Sequence, residues 1–173
     1  IFTSASNLDL SAITGNSGDC GGNTITGGGT VLTFTTAATQ TYTGGTDNWS
    51  NVARWTSRVP LPQDDVLMSG VTGGTITADM PRLGKSIDWT GASGTPAWSF
   101  SNGNPTSYGS VTLISAMTLT GGGNYTLEGR GSFTFTSSGL TFTNQVKVYM
   151  VGGTLTLQDA FACSNSNTFD INS

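Results

Sequence analysis

The sequence predicts an all-β protein built around a parallel β-solenoid, and three observations support this fold class. Charged residues make up only 9% of the 173 residues, whereas glycine occurs 25 times and threonine 30 times. This composition disfavours helices and favours short strands joined by tight turns. Apolar residues recur at every second position, as in strands with one buried and one solvent-facing side. The C-terminal third is also an internal repeat, with a period of about 22 residues.

The repeat arranges apolar residues in columns that a stack of coils would bury. Aligned at the repeat period, within one residue, the columns are Val111–Phe133–Leu155, Leu113–Phe135–Leu157, Met117–Leu140–Phe161, Leu119–Phe142–Cys163, Tyr125–Val146–Phe169 and Leu127–Val148–Ile171. Each coil would hold three short strands, stacked about 4.8 Å from the next coil. Parallel crossovers are normally right-handed, so we expect a right-handed solenoid. A β-sandwich is the alternative for strands of this length.

Upstream of this repeat the pattern becomes less regular, and it is lost before residue 46. The sequence therefore predicts three parts: a Gly/Thr-rich N-terminal β segment or preceding coil (1–45), a cap motif (46–68) and solenoid coils (69–173). The last coil carries no capping pattern. We therefore expect that the coils continue beyond residue 173 or that a partner covers this end.

Charge and composition argue against several classes of function. The net charge is −4 and the six basic residues are dispersed, so no nucleic-acid partner is expected. The absence of histidine excludes His-based triads and His-ligated metals. No apolar run approaches the roughly 18 residues that cross a bilayer, so no membrane insertion is expected. No cofactor is expected either. Cys20 and Cys163 leave open a disulfide or two thiols, and two thiols are the simpler interpretation.

Residues 46–68 read TDNWSNVARWTSRVPLPQDDVLM and differ in chemistry from the surrounding sequence. We interpret them as a lid over the apolar bore, because tryptophans bury large areas and prolines suit an edge or crossing loop. Arg54 or Arg58 could pair with the aspartates. Trp49 and Trp55 should then be buried. The residues of this cap motif are Asn48, Trp49, Ser50, Trp55, Pro60, Pro62, Asp64 and Asp65.

The order Asn-Trp-Ser, Trp55, Pro60 and Asp-Asp-Val (64–66) resembles a motif that begins β-helical segments of bacterial surface adhesins and of tailed-phage structural proteins, including tail fibres. The segments ADMPRLGKSIDWTG and YGSVTLISAMTLTGGG are similar to the threonine-rich coils of such phage proteins. The resemblance covers about residues 46–173. It implies a structural or adhesive module on an extracellular or virion surface. Its partners would be copies of itself, neighbouring structural proteins or a host surface glycan.

Two functional interpretations of the cap motif remain as alternatives. An exposed tryptophan could stack on a sugar while Asp or Asn side chains bind its hydroxyls. A weak calcium site is the other, because hard cations bind clustered oxygens and Asp47, Asn48, Asp64 and Asp65 lie close in sequence.

Catalysis by paired carboxylates is a further alternative, as in a polysaccharide hydrolase or lyase. Asp88 and Asp170 alternate with apolar residues and therefore point outward. The aligned positions of other coils carry Thr112 and Thr126, so no acidic column forms. We therefore predict that the chain is not an enzyme, with Asp88, Asp64 and Asp65 as the acids to test.

Hydroxyl side chains form the outward columns of the repeat. Two ladders run through Thr112, Thr134 and Thr156 and through Ser110, Ser132 and Thr154, and another set is Thr120, Thr143 and Ser164. Threonine is a stiff, good strand former, so such ladders stabilise coils without ions. The alternative function is ice binding, because stacked T-x-T rows present methyls and hydroxyls at regular spacing.

Overall fold

The computed structural model describes residues 18–19, 23–26, 31–101, 103–164 and 169–172. The chain divides into two units, Ile1–Thr36 and Ala37–Ser173. In the first unit, β1 (Gly18–Asp19), β2 (Asn23–Thr26) and β3 (Val31–Phe34) form an antiparallel sheet. Cys20 lies outside the described residues, whereas Cys163 is a half-buried free thiol.

The second unit is a parallel β-solenoid of six coils, which confirms the predicted fold class; the sandwich alternative is wrong. Face A is a six-stranded sheet of β4 (Thr39–Thr41), β6 (Asp65–Leu67), β9 (Ile87–Asp88), β12 (Val111–Thr112), β15 (Ser132–Thr136) and β18 (Thr154–Leu157). Coils 1 to 6 begin with these six strands in turn. Every pair of neighbouring strands in face A is parallel.

Two further faces complete each coil. Face B contains β5 (Asp47–Asn48), β7 (Thr75–Thr77), β10 (Ala97–Ser99) and β13 (Thr118–Thr120), followed by β16 (Thr141–Phe142) and β19 (Ala162–Cys163). Its backbone ladder is interrupted between β13 and β16, where the Asn144 amide donates to the Gly121 carbonyl at 2.8 Å. Face C contains β8 (Arg82–Gly84), β11 (Thr106–Ser107), β14 (Tyr125–Gly129), β17 (Val146–Met150) and β20 (Phe169–Asn172).

The alternation of apolar and hydroxyl residues explains why these segments form strands. On face A, Val66, Ile87, Val111 and Phe135 are register neighbours, and all four are buried. Burying one such side chain stabilises the fold by about 1.5–3 kcal/mol. The residues that alternate with these along each strand point away from the bore. One continuous core therefore fills the stack, whereas the residue types in the outward columns vary.

A continuous set of aromatic contacts, the aromatic spine, runs through the core from coil 1 to coil 6. Its eleven rings are Tyr42, Trp55, Trp49, Trp98, Trp89, Phe100, Tyr125, Phe142, Phe135, Phe161 and Phe169. Neighbouring ring centroids lie between 4.7 and 6.5 Å apart. Each such pair contributes about 0.5–1.5 kcal/mol beyond its buried area. Coil 2 contributes no ring, and the Trp49–Trp98 contact bridges it, so the spine connects the first coil to the last.

One predicted register is wrong by two residues. The sequence repeat aligns Val111 with Phe133, but in the structure Val111 pairs with Phe135, two positions further along the chain. The next step returns to the predicted period, because Phe133 pairs with Leu155. On face C the predicted column Tyr125–Val146–Phe169 is confirmed.

The solenoid already includes residues before 46, as the alternative of a preceding coil in residues 1–45 allows. Strand β4 pairs in parallel with β6, so residues 39–41 already belong to coil 1. The cap motif contains β5 and β6, and its residues 49–64 connect these two strands in place of a face C strand. It contains a 3₁₀ turn at Val52–Arg54, which Asn51 caps because its side-chain oxygen accepts a hydrogen bond from Ala53 N. Within the described ranges no helix is long or apolar enough to cross a membrane.

Candidate functional site

The two tryptophans of the cap motif are buried, as predicted. Trp49 is fully buried and Trp55 is only 5% exposed, and their ring centroids lie 4.8 Å apart. The Trp55 indole N–H donates to the Trp49 carbonyl at 2.7 Å, and Trp49 stacks on Trp98 of coil 3 at 6.3 Å. These indoles therefore offer no platform for a sugar, and they anchor the cap to the core.

Asp64 is the central polar residue of the cap. Its side chain is fully buried, and its two oxygens accept four hydrogen bonds. The Arg58 guanidinium donates through Nη2 at 2.6 Å and Nε at 3.1 Å. The backbone N–H groups of Ala38 and Leu61 donate at 2.8 and 2.9 Å. Asp64 therefore ties the cap loop to the strand that begins coil 1, and Arg58 is the arginine that neutralises it.

Asp47 is a second centre of hydrogen bonding in the cap. It accepts hydrogen bonds from Arg54 Nε, from Asn51 Nδ2 and from Asn48 N, at 2.8, 2.8 and 2.9 Å. The Arg54 bond, followed by that of Asn48, lowers the pKa of Asp47 below its usual value. Burial raises the pKa of the neighbouring Tyr42 to about 12. Both groups are thus held in structural roles at neutral pH.

The remaining residues of the cap motif take separate positions. Asn48 and Ser50 are exposed, and Ser50 donates to Asp79 of coil 2 through its hydroxyl at 2.6 Å and its N–H at 3.0 Å. Pro60 is buried and Pro62 is half-buried. Asp65 faces Lys85 at 4.0 Å, with both side chains about half exposed.

The calcium site suggested by Asp47, Asp64 and Asp65 does not form. Asp47 is bound by Arg54, Asp64 by Arg58, and no group of three acidic, His or Cys side chains comes together in the described part of the chain. Asp88, the remaining acid proposed for catalysis, lies on face A and accepts a hydrogen bond from Thr90 N at 2.8 Å.

The two predicted ladders that begin at Thr112 and Ser110 lie on face A, with the same two-residue shift, whereas the third set, Thr120, Thr143 and Ser164, lies on face B. Thr112 stacks on Thr136 instead of Thr134, while the pairs Thr134–Thr156 and Ser132–Thr154 form as predicted. Thr134 N instead donates to Ser110 Oγ at 3.1 Å. Face A also carries Asp65 and Asp88 at outward positions of coils 2 and 3, so it presents a mixed hydroxyl and acidic surface.

Face B carries the more uniform hydroxyl array, most of which the sequence reasoning missed. Its outward residues flank the inward residues Ile76, Trp98, Leu119, Phe142 and Cys163. They are Thr75, Thr77, Ala97, Thr118, Thr120, Thr141, Thr143, Ala162 and Ser164, whereas Ser99 at the matching position of coil 3 is buried. The tripeptides TIT, TLT and TFT at 75–77, 118–120 and 141–143 are the signal that could have revealed it.

Face C combines charges with tyrosines. One outward column runs through Arg82, Thr106, Thr126, Lys147 and Asp170. Lys147 and Asp170 are register neighbours in this column. The adjacent column contains Glu128 paired with Tyr149, and Tyr108 lies near Arg82 and Glu128. Burial raises the pKa of Tyr108, and the nearby Arg82 partly offsets this.

The chain was compared with known protein families, curated proteins and solved structures. None of them matches. The features that can indicate a function are therefore the three faces, the cap and the end of the stack.

An apolar groove lies at the end of the described stack, between coils 5 and 6. Its lining residues are Val148, Met150, Gly153, Thr154, Leu155, Leu157, Phe169 and Ile171. Ile171 is 67% exposed and Leu157 is 40% exposed, unlike the inward residues of the coils before them. Exposed apolar residues next to strand edges favour association with other chains.

Proposed function

We propose that this chain is a rigid, non-catalytic structural module of an extracellular or virion-surface assembly, and that one of its faces adheres to a surface glycan. The observation that carries the structural role is the aromatic spine, which continues from Tyr42 in coil 1 to Phe169 in coil 6. A stack of coils tied by large buried rings resists bending and local opening, because each coil is held by its neighbours. Copies of the chain or neighbouring structural proteins would be its partners.

The bonding of the cap supports a passive role. The buried carboxylate of Asp64 uses both oxygens to hold the loop, and Asp47 is held by Arg54 and two amides. A catalytic acid or base needs a free position and a shifted pKa near the working pH. These two carboxylates instead stabilise the first coil. The resemblance of the cap motif to those of surface adhesins and tail fibres agrees with this role.

The adhesive role is best supported by face C. Tyr108 and Tyr149 are half-buried there, next to Glu128 and the column containing Arg82 and Lys147. A glycan binds through stacking of its apolar ring face on an aromatic side chain and through hydrogen bonds to charged or polar groups. Face C provides both kinds of group on a rigid support.

The structural role can be tested by breaking the spine at Tyr125. This side chain is fully buried, and its ring contacts Trp98, Phe100 and Phe142. We expect Tyr125→Ala to lower the unfolding force in single-molecule pulling and to speed digestion by a broad-specificity protease. The matched control is Tyr149→Ala on face C, which should keep both properties. Equal behaviour of the two variants would refute the role of the spine.

The adhesive role needs a separate test. On a glycan array, the wild-type chain should bind a defined set of glycans, and the double variant Tyr108→Ala/Tyr149→Ala should lose that binding. Glycan binding that persists in the double variant would show that the binding site does not lie on face C. Incubation with soluble polysaccharides should release no reducing ends. Cleavage that is lost in Asp88→Ala, Asp64→Ala or Asp65→Ala would instead make the chain an enzyme.

A further inference from the structure

Face B differs from the other two faces in the chemistry of its outward residues. From coil 2 to coil 6 it presents nine accessible outward positions, of which six are threonine, two alanine and one serine, while Ser99 at the tenth position is buried. None of these positions carries a charge. The threonines of coils 4 and 5 are exposed: Thr118, Thr120, Thr141 and Thr143. We call the rows of coils 2 to 4 and of coils 5 and 6 the face B array.

The solenoid itself does not require this uniformity. Equivalent outward positions on face A carry Asp65 and Asp88, and those on face C carry Arg82, Glu128 and Lys147. The paired strands of all three faces are parallel, so charged side chains are compatible with the fold. The exclusion of charge from face B therefore needs an explanation other than folding.

The array is regular within two blocks, coils 2 to 4 and coils 5 and 6, and its ladder is interrupted between them. Within each block neighbouring rows lie about 4.8 Å apart, and two outward residues of one row lie about 6.6 Å apart along the strand. Threonine is β-branched, so its χ1 angle is restricted and its methyl and hydroxyl groups hold fixed positions. Each hydroxyl can donate one hydrogen bond and accept others. A ligand that matches the array must be neutral, flat and periodic, with donors and acceptors at comparable spacing.

We propose that face B binds the surface of ice. Crystalline water is neutral and periodic in two dimensions, and each of its molecules donates and accepts hydrogen bonds. Protein interfaces depend on aromatic and arginine anchors, which the outward positions of face B lack. Pre-ordered threonines lose little conformational entropy when they meet a lattice, and the methyl groups gain from exclusion of liquid water.

The test uses the whole chain in an ice-recrystallisation assay together with measurement of ice-crystal shaping. The wild-type chain should slow the growth of ice grains at micromolar concentration. The face B variant Thr118→Lys/Thr141→Lys should need about tenfold more protein or more, because two charges would face a neutral lattice without partners. The matched control is Thr154→Lys/Thr156→Lys, which alters two exposed threonines on face A. This control should remain as active as the wild type.

A second variant keeps the proposal falsifiable if the lysines disturb folding. Thr118→Gln/Thr141→Gln is neutral and removes the methyl and hydroxyl pattern, and it should also lose activity. Circular dichroism and the midpoint of urea unfolding verify that each variant is folded. Inactive wild-type protein, full activity of the glutamine variant, or equal losses in the face A control would each overturn the proposal.

Discussion

Replacing Asp64 with asparagine should destabilise the chain far more than the same change at Asp65. Asp64 is fully buried, and each of its oxygens accepts two hydrogen bonds. Asparagine keeps the size but replaces one oxygen with an NH₂ group, which donates. Whichever way the amide turns, two donors of the site then face another donor.

The magnitude follows from those two lost bonds. A buried donor left without an acceptor costs about 1–3 kcal/mol. Arg58 is 31% exposed, so its guanidinium can partly recover by contact with water, and its share lies at the lower end. We therefore expect Asp64→Asn to lower the free energy of unfolding by about 2–4 kcal/mol, out of about 5–15 kcal/mol for a typical domain.

Urea denaturation followed by far-ultraviolet circular dichroism measures this difference, since urea does not screen ion pairs. Asp65→Asn is the control, because the Asp65–Lys85 pair is 4.0 Å long and about half exposed. Such a pair contributes less than about 1 kcal/mol. If the two variants differ by less than about 0.5 kcal/mol, with equal m-values, the four-bond site is not what stabilises the cap.

Three further predictions concern other parts of the solenoid. A Cβ at Gly123 would collide with carbonyl oxygens of the preceding coil, whereas one at Gly122 meets nothing within 4 Å; Gly123→Ala should therefore cost about 1–3 kcal/mol in urea unfolding and Gly122→Ala almost nothing. Hydrogen bonds, chiefly from a backbone N–H of coil 5, lower the pKa of Asp159. Its stabilisation is therefore present above about pH 4 and is lost as pH falls through the lowered pKa, so the stability gap between wild type and Asp159→Asn should shrink as the pH falls below about 4; a gap that does not change with falling pH would contradict this. Leu157→Lys in the end groove should reduce self-association in sedimentation velocity, whereas Val52→Lys, 60% exposed in the cap, should not; equal effects would show that the groove has no special role.

The sequence predicted the class of fold because the alternation of apolar and polar residues does not depend on which residues of neighbouring coils are paired. The same independence explains the error at coil 5. Both Phe133 and Phe135 are apolar and lie on the same side of their strand, so pairing Val111 with either of them keeps apolar residues inside. The lengths of the turns decide which of the two phenylalanines pairs with Val111, and these lengths vary from coil to coil. On face A the register step from Val66 to Ile87 is shorter than the steps from Ile87 to Val111 and from Val111 to Phe135.

The candidate sites were predicted less completely, for related reasons. Burial of the two cap tryptophans followed from their size, but the choice of Arg58 for Asp64 and Arg54 for Asp47 depends on the path of the loop. A short 3₁₀ turn sets that path, and its sequence signal is weak. Most of the face B rows were missed because the register steps of that face also vary, and the step before coil 3 differs in length from the step after it.

The tryptophans give the molecule a built-in optical label for one half of its length. All four, Trp49, Trp55, Trp89 and Trp98, belong to coils 1 and 3, and none belongs to coils 4 to 6. Indole emission therefore reports only on the capped half, whereas far-ultraviolet dichroism reports on every strand. In stacked repeats, stability is a sum over coils and their interfaces, so the two halves can melt apart. The difference between the melting temperatures given by the two signals measures how far along the stack unfolding is cooperative.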